Sequence, residues 1–292
     1  MGLASVQAWR DAGQQVTVGE HHVFVRDEPA TEDRGLDPVL VLHGFPSCSF
    51  DYRHVLPALA SDRRVVLFDF LGFGLSSKPD VRYGIRMLAD QTEGVVRALG
   101  LDRVALLTHD VGDSVGGELL RRDLEGTLGF GVSERVVANG SIYMDLVHLT
   151  DGQRFLLDLP DERLDLSGGS GAGYTSALAA TFAPGSVVAE DELEAQWELM
   201  AVDDGHTLLP RMIRYIEDRR LEERRYTEAV EIHPSSLGVV WGDLDPIAVH
   251  AMAERLTTVR ADAPLITLDG VGHYPMVEAP ARYAAAVRTL LA

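Results

Sequence analysis

Cysteine and lysine are the residue types that this chain nearly lacks. Cys48 is the single cysteine among 292 residues, so the chain can form neither an internal disulfide nor a cluster of thiolate metal ligands. Lys78 is the single lysine, and the formal net charge is −19. Because binding to phosphate needs clustered cations, this balance argues against nucleic acid or an anionic membrane as a partner. We expect a small neutral molecule instead.

Long apolar runs are also missing. No run is long enough to cross a bilayer, and the first residues, MGLASVQAWRDAGQQ, do not place a charged leader before an apolar core. We therefore expect no membrane insertion, no secretion and a cytoplasmic location. Gly72-x-Gly74 lacks the third glycine of a dinucleotide fingerprint, and no metal-binding pattern is present, so we expect no cofactor and no metal. We expect a monomer or a homodimer.

What the chain does contain is a regular series of short apolar runs that alternate with helical patterns. Hydrophobic residues make up 46% of the chain, enough for the core of one large α/β domain. The runs lie at residues 38–42, 64–68, 104–108, 135–138, 237–241 and 264–268. Such runs are typical of a parallel sheet covered by helices on both faces. Residues 15–18 and 22–25 alternate in polarity instead, which predicts an antiparallel pair at an exposed edge.

The rhythm of strands stops between Tyr143 and His233, where helix-forming residues dominate. A long interruption between two sheet strands is most simply a helical cap over the carboxyl edge of the sheet. We therefore predict a core formed by residues 1–142 and 234–292, with residues 143–233 inserted after the sixth strand as the cap, or lid.

Four of the apolar runs end at residues that can carry chemistry. HGFP (43–46) follows the run at 38–42, and HDVG (109–112) follows the run at 104–108. GDLDP (242–246) and DGVGHYP (269–275) follow the last two runs. Because ligands bind at the carboxyl ends of strands in open α/β sheets, we expect these four segments to form one site.

The segment LLTHDVGDSVGG (106–117) holds two overlapping candidates for a nucleophile. Ser114 fits the G-x-S-x-G pattern of serine hydrolases, and Asp110 occupies the tip of the same kind of turn with a carboxylate. The tip must follow the strand directly, which Asp110 does, whereas Ser114 lies about one helical turn later. Thr108 and Gly112 are small enough for a tight turn around Asp110. We favour Asp110, with Ser114 packed behind it in the following helix.

HGFP, FDFLGFGLSSKP (68–79), LLTHDVG, WGDLDP and GVGHYP occur in the order found in α/β-hydrolases, and together they resemble the branch of epoxide hydrolases and haloalkane dehalogenases. The resemblance covers residues 39–292 and implies the α/β-hydrolase fold, a doubly wound, mostly parallel sheet with an inserted cap. Residues 68–79, 107–113 and 196–220 most resemble the animal mesoderm-specific transcript proteins, a subgroup whose substrate the resemblance does not settle.

An aspartate nucleophile implies a reaction in two steps. Asp110 is ionised at neutral pH, so it can displace a leaving group at saturated carbon without a base and form an alkyl ester. Water must then cleave the ester, and His273, at the end of the last strand run, is the expected base. Family spacing favours Asp245 over Asp243 as the acid that orients His273. Some dehalogenases take this acid from the strand after the helix that follows the nucleophile, but this chain has Asn139 near that position, which disfavours that alternative.

The resemblance also implies the groups that stabilise the oxyanion. They are the backbone N–H groups of Phe45 and Val111, one from each turn beside the nucleophile. His109 and His43 are rivals to His273, but His109 should point away from the site and His43 should support the turn before Phe45.

Opening an epoxide requires a proton donor for the leaving alkoxide, and similar enzymes supply tyrosines from the cap. Tyr215 lies where that donor is expected, with Tyr174 or Tyr143 as a partner, although packing alone would also explain a tyrosine beside Met212 and Ile216. We expect Trp197, Tyr143 and Tyr174 to line the substrate pocket.

Releasing a halide requires side-chain N–H donors. Similar dehalogenases carry these donors at the positions that Val111 and Phe45 occupy here, and neither of these side chains has an N–H group. Only cap residues such as Trp197 could replace them. Most epoxide hydrolases also carry tryptophan at the position of Val111, so this residue departs from both patterns. The preferred hypothesis is an epoxide hydrolase acting on a small apolar epoxide, and the first alternative is a haloalkane dehalogenase. Further alternatives are an esterase or lactonase that uses Ser114, and a ligand-binding protein without turnover.

Overall fold

The structure is a computed structural model, and it describes residues 2–166, 168, 170–186 and 188–291. None of the helices in these ranges is long and apolar enough to cross a bilayer. One sheet of eight strands, in the order β1-β2-β4-β3-β5-β6-β7-β8, organises the described chain. The strands are β1 (Gln14–Val18), β2 (His21–Glu28), β3 (Val39–Leu42), β4 (Val65–Phe68), β5 (Arg103–His109), β6 (Gly131–Ala138), β7 (Ser236–Gly242) and β8 (Leu265–Leu268).

The predicted mostly parallel sheet is confirmed. Strands β3 to β8 pair in parallel, and β2 joins β1 and β4 in antiparallel pairs at one end of the sheet. The central strands are buried on both faces, as their unbroken apolar sequences require. Strand β1 lies at the edge, and its residues are exposed or half-buried.

Helices cover both faces of this sheet and fill the long interval between β6 and β7. Those outside the interval are α1 (Gly2–Asp11), α2 (Leu56–Leu59), α3 (Ile85–Ala98), α4 (Val111–Leu124), α10 (Ala251–Val259), α11 (Pro275–Glu278) and α12 (Pro280–Leu290). Those within it are α5 (Asp151–Asp158), α6 (Ala172–Ala179), α7 (Glu190–Ala201), α8 (Leu209–Met212) and α9 (Tyr215–Ile232). The predicted helical insertion after the sixth strand is thus present, whereas the exact boundaries at 142/143 and 233/234 stay a prediction.

Helix α9 runs along α4, and glycine makes this close packing possible. A Cβ on Gly117 would lie 2.8 Å from the carbonyl oxygen of Tyr226, closer than real side-chain atoms approach. Ion pairs border the same contact, including Arg225 with Glu118 and Arg121 with Glu228. Helix α9 is therefore held directly against the helix that follows the proposed nucleophile.

Candidate active site

Asp110 occupies a sharp turn between β5 and α4. Its φ of 51° and ψ of −113° lie in a region that residues with a side chain rarely adopt. Two glycines allow the neighbouring turn to approach: a Cβ on Gly112 would lie 2.2 Å from the Leu42 carbonyl oxygen, and one on Gly44 would lie 3.1 Å from the Cβ of Asp110. The turn lifts the Asp110 carboxylate above the carboxyl ends of the central strands.

The Asp110 carboxylate contacts the groups predicted to act with it. Its Oδ2 accepts a hydrogen bond from the backbone N–H of Phe45 at 2.9 Å, and its Oδ1 lies 4.0 Å from His273 Nε2. The Tyr274 hydroxyl donates to the Phe45 carbonyl at 2.9 Å, which fixes this turn. Asp110 exposes 2% of its surface and His273 exposes 1%, so both lie beneath the cap, shielded from solvent.

His273 is oriented by Asp245 through a bond of 2.8 Å between Nδ1 and Oδ2. The other oxygen of Asp245 accepts the backbone N–H groups of Ile247 at 2.7 Å and Ala248 at 2.9 Å. Asn139 donates to Asp245 Oδ2 at 2.8 Å. The structure thus brings Asp110, His273 and Asp245 together, and it adds Asn139 at the position from which some dehalogenases take their acid.

The rival acid Asp243 lies outside this group, since its Oδ1 accepts the backbone N–H of Gly270 at 2.7 Å. Asp243 therefore supports the loop that leads to His273.

Electrostatics favour the charged form of His273. Burial alone would lower the pKa of this imidazole, but the charge and hydrogen bond of Asp245, with a contribution from Asp110, raise the pKa to about 9. At neutral pH the resting site therefore holds an imidazolium between two carboxylates. Loss of the negative charge on Asp110 would remove one of the interactions that raise the His273 pKa.

The two rival histidines have structural contacts. His109 Nε2 donates to the backbone carbonyl of His273 at 2.8 Å, and burial lowers the pKa of His109 to about 4. His43 Nε2 accepts the backbone N–H of Phe70 at 2.9 Å, and burial lowers its pKa as well. Both rings are neutral at physiological pH and support the turns around the site.

Ser114 lies one turn into α4, and its hydroxyl accepts a hydrogen bond from Arg219 Nε at 2.7 Å. The space beside it is a cavity of only about 10 Å³, lined in part by Asp113 and Arg219. A cavity of that size holds about one water molecule and no organic substrate.

Tyr215 begins α9 and packs 5.7 Å from the Phe45 ring, measured between ring centroids. Its hydroxyl is buried, and no described residue forms a hydrogen bond with it. Burial and the Asp110 carboxylate raise the pKa of Tyr215 well above 10, whereas Arg219 lowers it. Because the backbone N–H of Phe45 donates to Asp110, Tyr215 packs against the same turn that binds the carboxylate.

Tyr174 and Trp197 line a cavity of about 320 Å³ under the cap. Their rings are 5.8 Å apart, and the buried Tyr174 hydroxyl also finds no hydrogen-bond partner in the described ranges. Phe45 and Thr181 line the same cavity, and the Thr181 carbonyl accepts the backbone N–H of His273 at 3.1 Å. The cavity therefore reaches the residues that hold both Asp110 and His273.

Tyr143 lies elsewhere. Its hydroxyl donates to Glu231 at 3.1 Å, its ring packs 4.1 Å from the Arg255 guanidinium, and it is not among the described residues that line the cavity. Val111 is the first residue of α4, so its N–H belongs to the helix terminus beside Asp110. Within the described ranges, no three His, Cys, Asp or Glu side chains are arranged to hold a metal ion.

The fold and this arrangement at the strand ends define a class of enzymes. A model of the α/β hydrolase family matches residues 39–286. The chain belongs to that family and is a hydrolase of the α/β-hydrolase kind.

The chain is 39% identical over 295 residues to the putative hydrolase LipZ of Mycobacterium tuberculosis. The alignment covers 100% of this chain and 99% of LipZ. It is 30% identical over 288 residues to the mesoderm-specific transcript protein of Mus musculus, covering 94% of this chain and 84% of that protein. These matches confirm the family resemblance read from the motifs.

The crystal structure of an α/β hydrolase fold protein from Burkholderia ambifaria matches with a TM-score of 0.76 and 21% identity, covering 95% of this chain and 97% of that one. This likeness supports the fold alone.

Enzymes with a named reaction match over shorter segments. A soluble epoxide hydrolase from a Corynebacterium species is 38% identical over 78 residues, 27% of each chain. A haloalkane dehalogenase from Sphingobium indicum is 34% identical over 105 residues, 34% of this chain and 36% of that enzyme.

Proposed function

We propose that this hydrolase opens epoxides through an ester intermediate on Asp110. Two features together carry the proposal. The Asp110 carboxylate stands at the tip of the turn, 4.0 Å from His273 Nε2, and the buried Tyr215 hydroxyl has no partner in the described structure. A buried hydroxyl without a partner destabilises the fold by about 1–3 kcal/mol. A ligand that accepts a hydrogen bond from this hydroxyl would remove that penalty.

In the first step, an Asp110 oxygen bonds to an epoxide carbon while the carbon–oxygen bond of the ring breaks. The leaving alkoxide takes the proton of Tyr215, and the unpartnered Tyr174 hydroxyl is the second donor available from the cap. The products are an alkyl ester on Asp110 and a phenolate at Tyr215. A carboxylate needs no base for this attack.

In the second step, His273 takes a proton from water, and the resulting hydroxide adds to the ester carbonyl. The N–H groups of Phe45 and Val111 stabilise the oxyanion. His273 then protonates the departing diol oxygen, and the remaining acidic proton of Asp110 returns to the Tyr215 phenolate. Esterification neutralises Asp110, which removes one of the interactions that raise the His273 pKa. The imidazolium therefore releases its proton to solvent before it acts as a base, and His273 takes up a proton again when the Asp110 carboxylate is restored.

The cavity indicates the character of the substrate. None of its described lining residues is Asp, Glu, Lys or Arg, and most are apolar, among them Phe155, Leu156, Leu178, Leu209 and Ile247. A cavity with such a lining binds a neutral, apolar molecule better than an ion, because an ion would lose its hydration without gaining a strong partner. We therefore propose a small apolar epoxide as the substrate.

Single turnover in water enriched in heavy oxygen tests the proposal. With enzyme in excess over an apolar epoxide, we expect one labelled oxygen in the peptide that carries Asp110 and an unlabelled diol, because water attacks the ester and not the epoxide. Label in the diol with none in Asp110 would exclude the ester intermediate. An activated ester hydrolysed with a burst that Ser114→Ala abolishes and Asp110→Asn retains would instead support the serine esterase alternative.

A haloalkane dehalogenase is the second candidate, favoured by the 105-residue match to such an enzyme. Asp110, His273 and Asp245 would serve it equally well. Phe45 and Val111 offer no side-chain donor for a halide, however, and among the described residues that line the cavity only Trp197 carries an indole N–H. Halide release from a haloalkane panel, lost in Trp197→Phe and retained in Tyr215→Phe, would favour this candidate over the epoxide hydrolase.

A further inference from the structure

Arg219 is a buried cation that none of the steps above uses. It exposes 3% of its surface and lies one helical turn after Tyr215 on α9, so the two side chains share a face of that helix. The Arg219 guanidinium carbon lies 5.1 Å from the centroid of the Tyr215 ring, and its Nε donates to Ser114 on α4. One side chain thus connects the helix of the proposed nucleophile with the proposed proton donor.

The charge of Arg219 is not balanced by a direct ion pair within the described structure. Its Nη2 is buried without a hydrogen-bond partner among the described residues, and so is Oδ2 of Asp113, a carboxyl on α4 whose pKa the charge of Arg219 lowers in part. Thr108 donates to the other oxygen of Asp113, and burial raises the pKa of Asp113 well above its usual range. Because burial favours neutral Asp113, the charge of Arg219 acts on the neighbouring ring instead of being cancelled beside it.

We propose that Arg219, held by Ser114, is a positioning residue that prepares Tyr215 to give up its proton. The inference rests on the proposed function, because it assigns the acid of that same reaction. Tyr215 lies between two opposite charges: the Asp110 carboxylate disfavours a phenolate, and the Arg219 guanidinium favours one. When Asp110 becomes a neutral ester, only the favourable charge remains. Arg219 therefore stabilises the phenolate at the moment when the alkoxide takes the proton.

The same geometry explains the second candidate nucleophile. Ser114 is bound to Arg219 and adjoins a cavity of about 10 Å³, so its hydroxyl serves to aim the guanidinium at the Tyr215 ring. On this proposal, the serine of the G-x-S-x-G pattern serves to hold Arg219 and is not the nucleophile of a serine hydrolase.

A direct measurement of Tyr215 acidity tests the proposal without turnover. Tyr215 is replaced site-specifically by difluorotyrosine, whose phenol is more acidic, and its ionisation is followed by fluorine NMR in the parent, Arg219→Gln and Arg219→Lys proteins. A unit charge about 5 Å away at an effective dielectric constant near 20 predicts that Arg219→Gln raises this pKa by about two units. Arg219→Lys keeps the charge and should raise it less. An unchanged pKa in Arg219→Gln would overturn the proposal.

The kinetic arm follows formation of the Asp110 ester in single turnovers of an apolar epoxide. We expect Arg219→Gln to slow ester formation by about 10- to 100-fold with a smaller effect on ester hydrolysis, and Arg219→Lys to recover part of the loss. In a Tyr215→Phe background, Arg219→Gln should cost little more, because the residue on which it acts is gone. Equal losses in both backgrounds would show that Arg219 acts on the fold and not through Tyr215.

Ser114→Ala keeps the charge and removes only its anchor, so it supplies a milder variant should Arg219→Gln not fold. We expect a smaller loss of ester formation, about two- to fivefold, and a pKa shift of the same sign. If neither the rate of ester formation nor the pKa changed in Ser114→Ala, Ser114 would have no part in positioning Arg219. A parent enzyme that forms no ester with any epoxide would refute the proposed function, and the NMR titration would still decide whether Arg219 and Tyr215 are coupled.

Discussion

The acid that orients His273 and the hydroxyls of the cap tyrosines differ in how completely their polar atoms are paired. On the core side, Asp245 accepts four hydrogen bonds, from His273, Asn139 and the backbone N–H groups of Ile247 and Ala248. On the cap side, the Tyr174 and Tyr215 hydroxyls and His206 Nδ1 are buried without hydrogen-bond partners in the part of the chain that the structure describes.

This difference separates two roles. The paired core atoms cannot move without losing hydrogen bonds, so they are suited to hold a base and a nucleophile at fixed distances. The unpaired cap atoms gain hydrogen bonds when a ligand arrives, so they are suited to select and protonate it. The following substitutions test this division.

Removing the nucleophile should have the largest effect. Asp110→Asn keeps the shape of the side chain but provides no carboxylate to form the ester. We expect kcat to fall by about 10⁴-fold or more, as for the loss of other enzyme nucleophiles. Steady-state turnover of an apolar epoxide measures it, with Ser114→Ala as the matched control at an expected loss below about tenfold. Similar losses in the two variants would contradict the assignment of Asp110.

Removing the base should block only the second step. In His273→Gln, Asp110 can still attack, but water is not deprotonated, so we expect ester hydrolysis to slow by about 10²- to 10⁴-fold. The alkyl-enzyme should then accumulate, and mass spectrometry of the Asp110 peptide would detect the adduct. Adduct-free protein after exposure to a substrate that the parent turns over would count against His273 as the base of this step.

Removing the cap hydroxyls should affect catalysis without lowering stability. We expect Tyr215→Phe to lower epoxide turnover by about 10- to 100-fold and Tyr174→Phe to lower it less. Because neither hydroxyl has a partner in the described structure, unfolding should be no easier in either variant, and harder by up to about 1–3 kcal/mol.

Tyr143→Phe is the matched control for these variants, since its hydroxyl is bonded to Glu231 away from the cavity. It should retain activity. A loss of thermal stability in Tyr215→Phe with unchanged turnover would show that this hydroxyl supports the fold and does not act on the substrate.

The smallest expected effect is a dependence of stability on pH. Asp245 and Asp110 outweigh burial and hold the pKa of His273 at about 9 in the folded protein, against 6.5 in an unfolded chain. This stabilisation is fully present below pH 6.5 and is lost as the pH rises through about 9, at a cost of about 1–3 kcal/mol. Thermal unfolding measured between these values should show the decline. The decline should be weaker in His273→Gln. This variant distinguishes the titration of His273 from that of Asp51 and Lys78, whose pKa values of about 7 and about 8 lie in the same range.

The sheet could be predicted because continuous apolar runs are a local signal. Each predicted run overlaps a strand of the structure, and the largest error is at β6, which begins at Gly131 and not at residue 135 because its first residues are mixed in polarity. The positions of Asp110, Asp245 and His273 followed from the same signal, since each comes at or just after the end of a strand. Their catalytic roles stay predictions.

The cap could not be predicted to the same depth. Which tyrosine enters the cavity depends on how helices pack in three dimensions, and Tyr143 and Tyr174 look equivalent in the sequence. Arg219 was missed because a charged residue on a polar helix usually faces water, whereas here it is buried against α4. The contact of Asn139 with Asp245 joins residues 106 positions apart, and no local pattern records it.

The near-complete enclosure of Asp110 and His273, at 2% and 1% exposure, has a consequence for the timing of the reaction. In the proposed reaction, the epoxide and the hydrolytic water have to reach these enclosed side chains, and the diol has to leave them. Solvent viscosity should therefore slow turnover even where the chemical steps are fast, because opening of the cap is a diffusive motion.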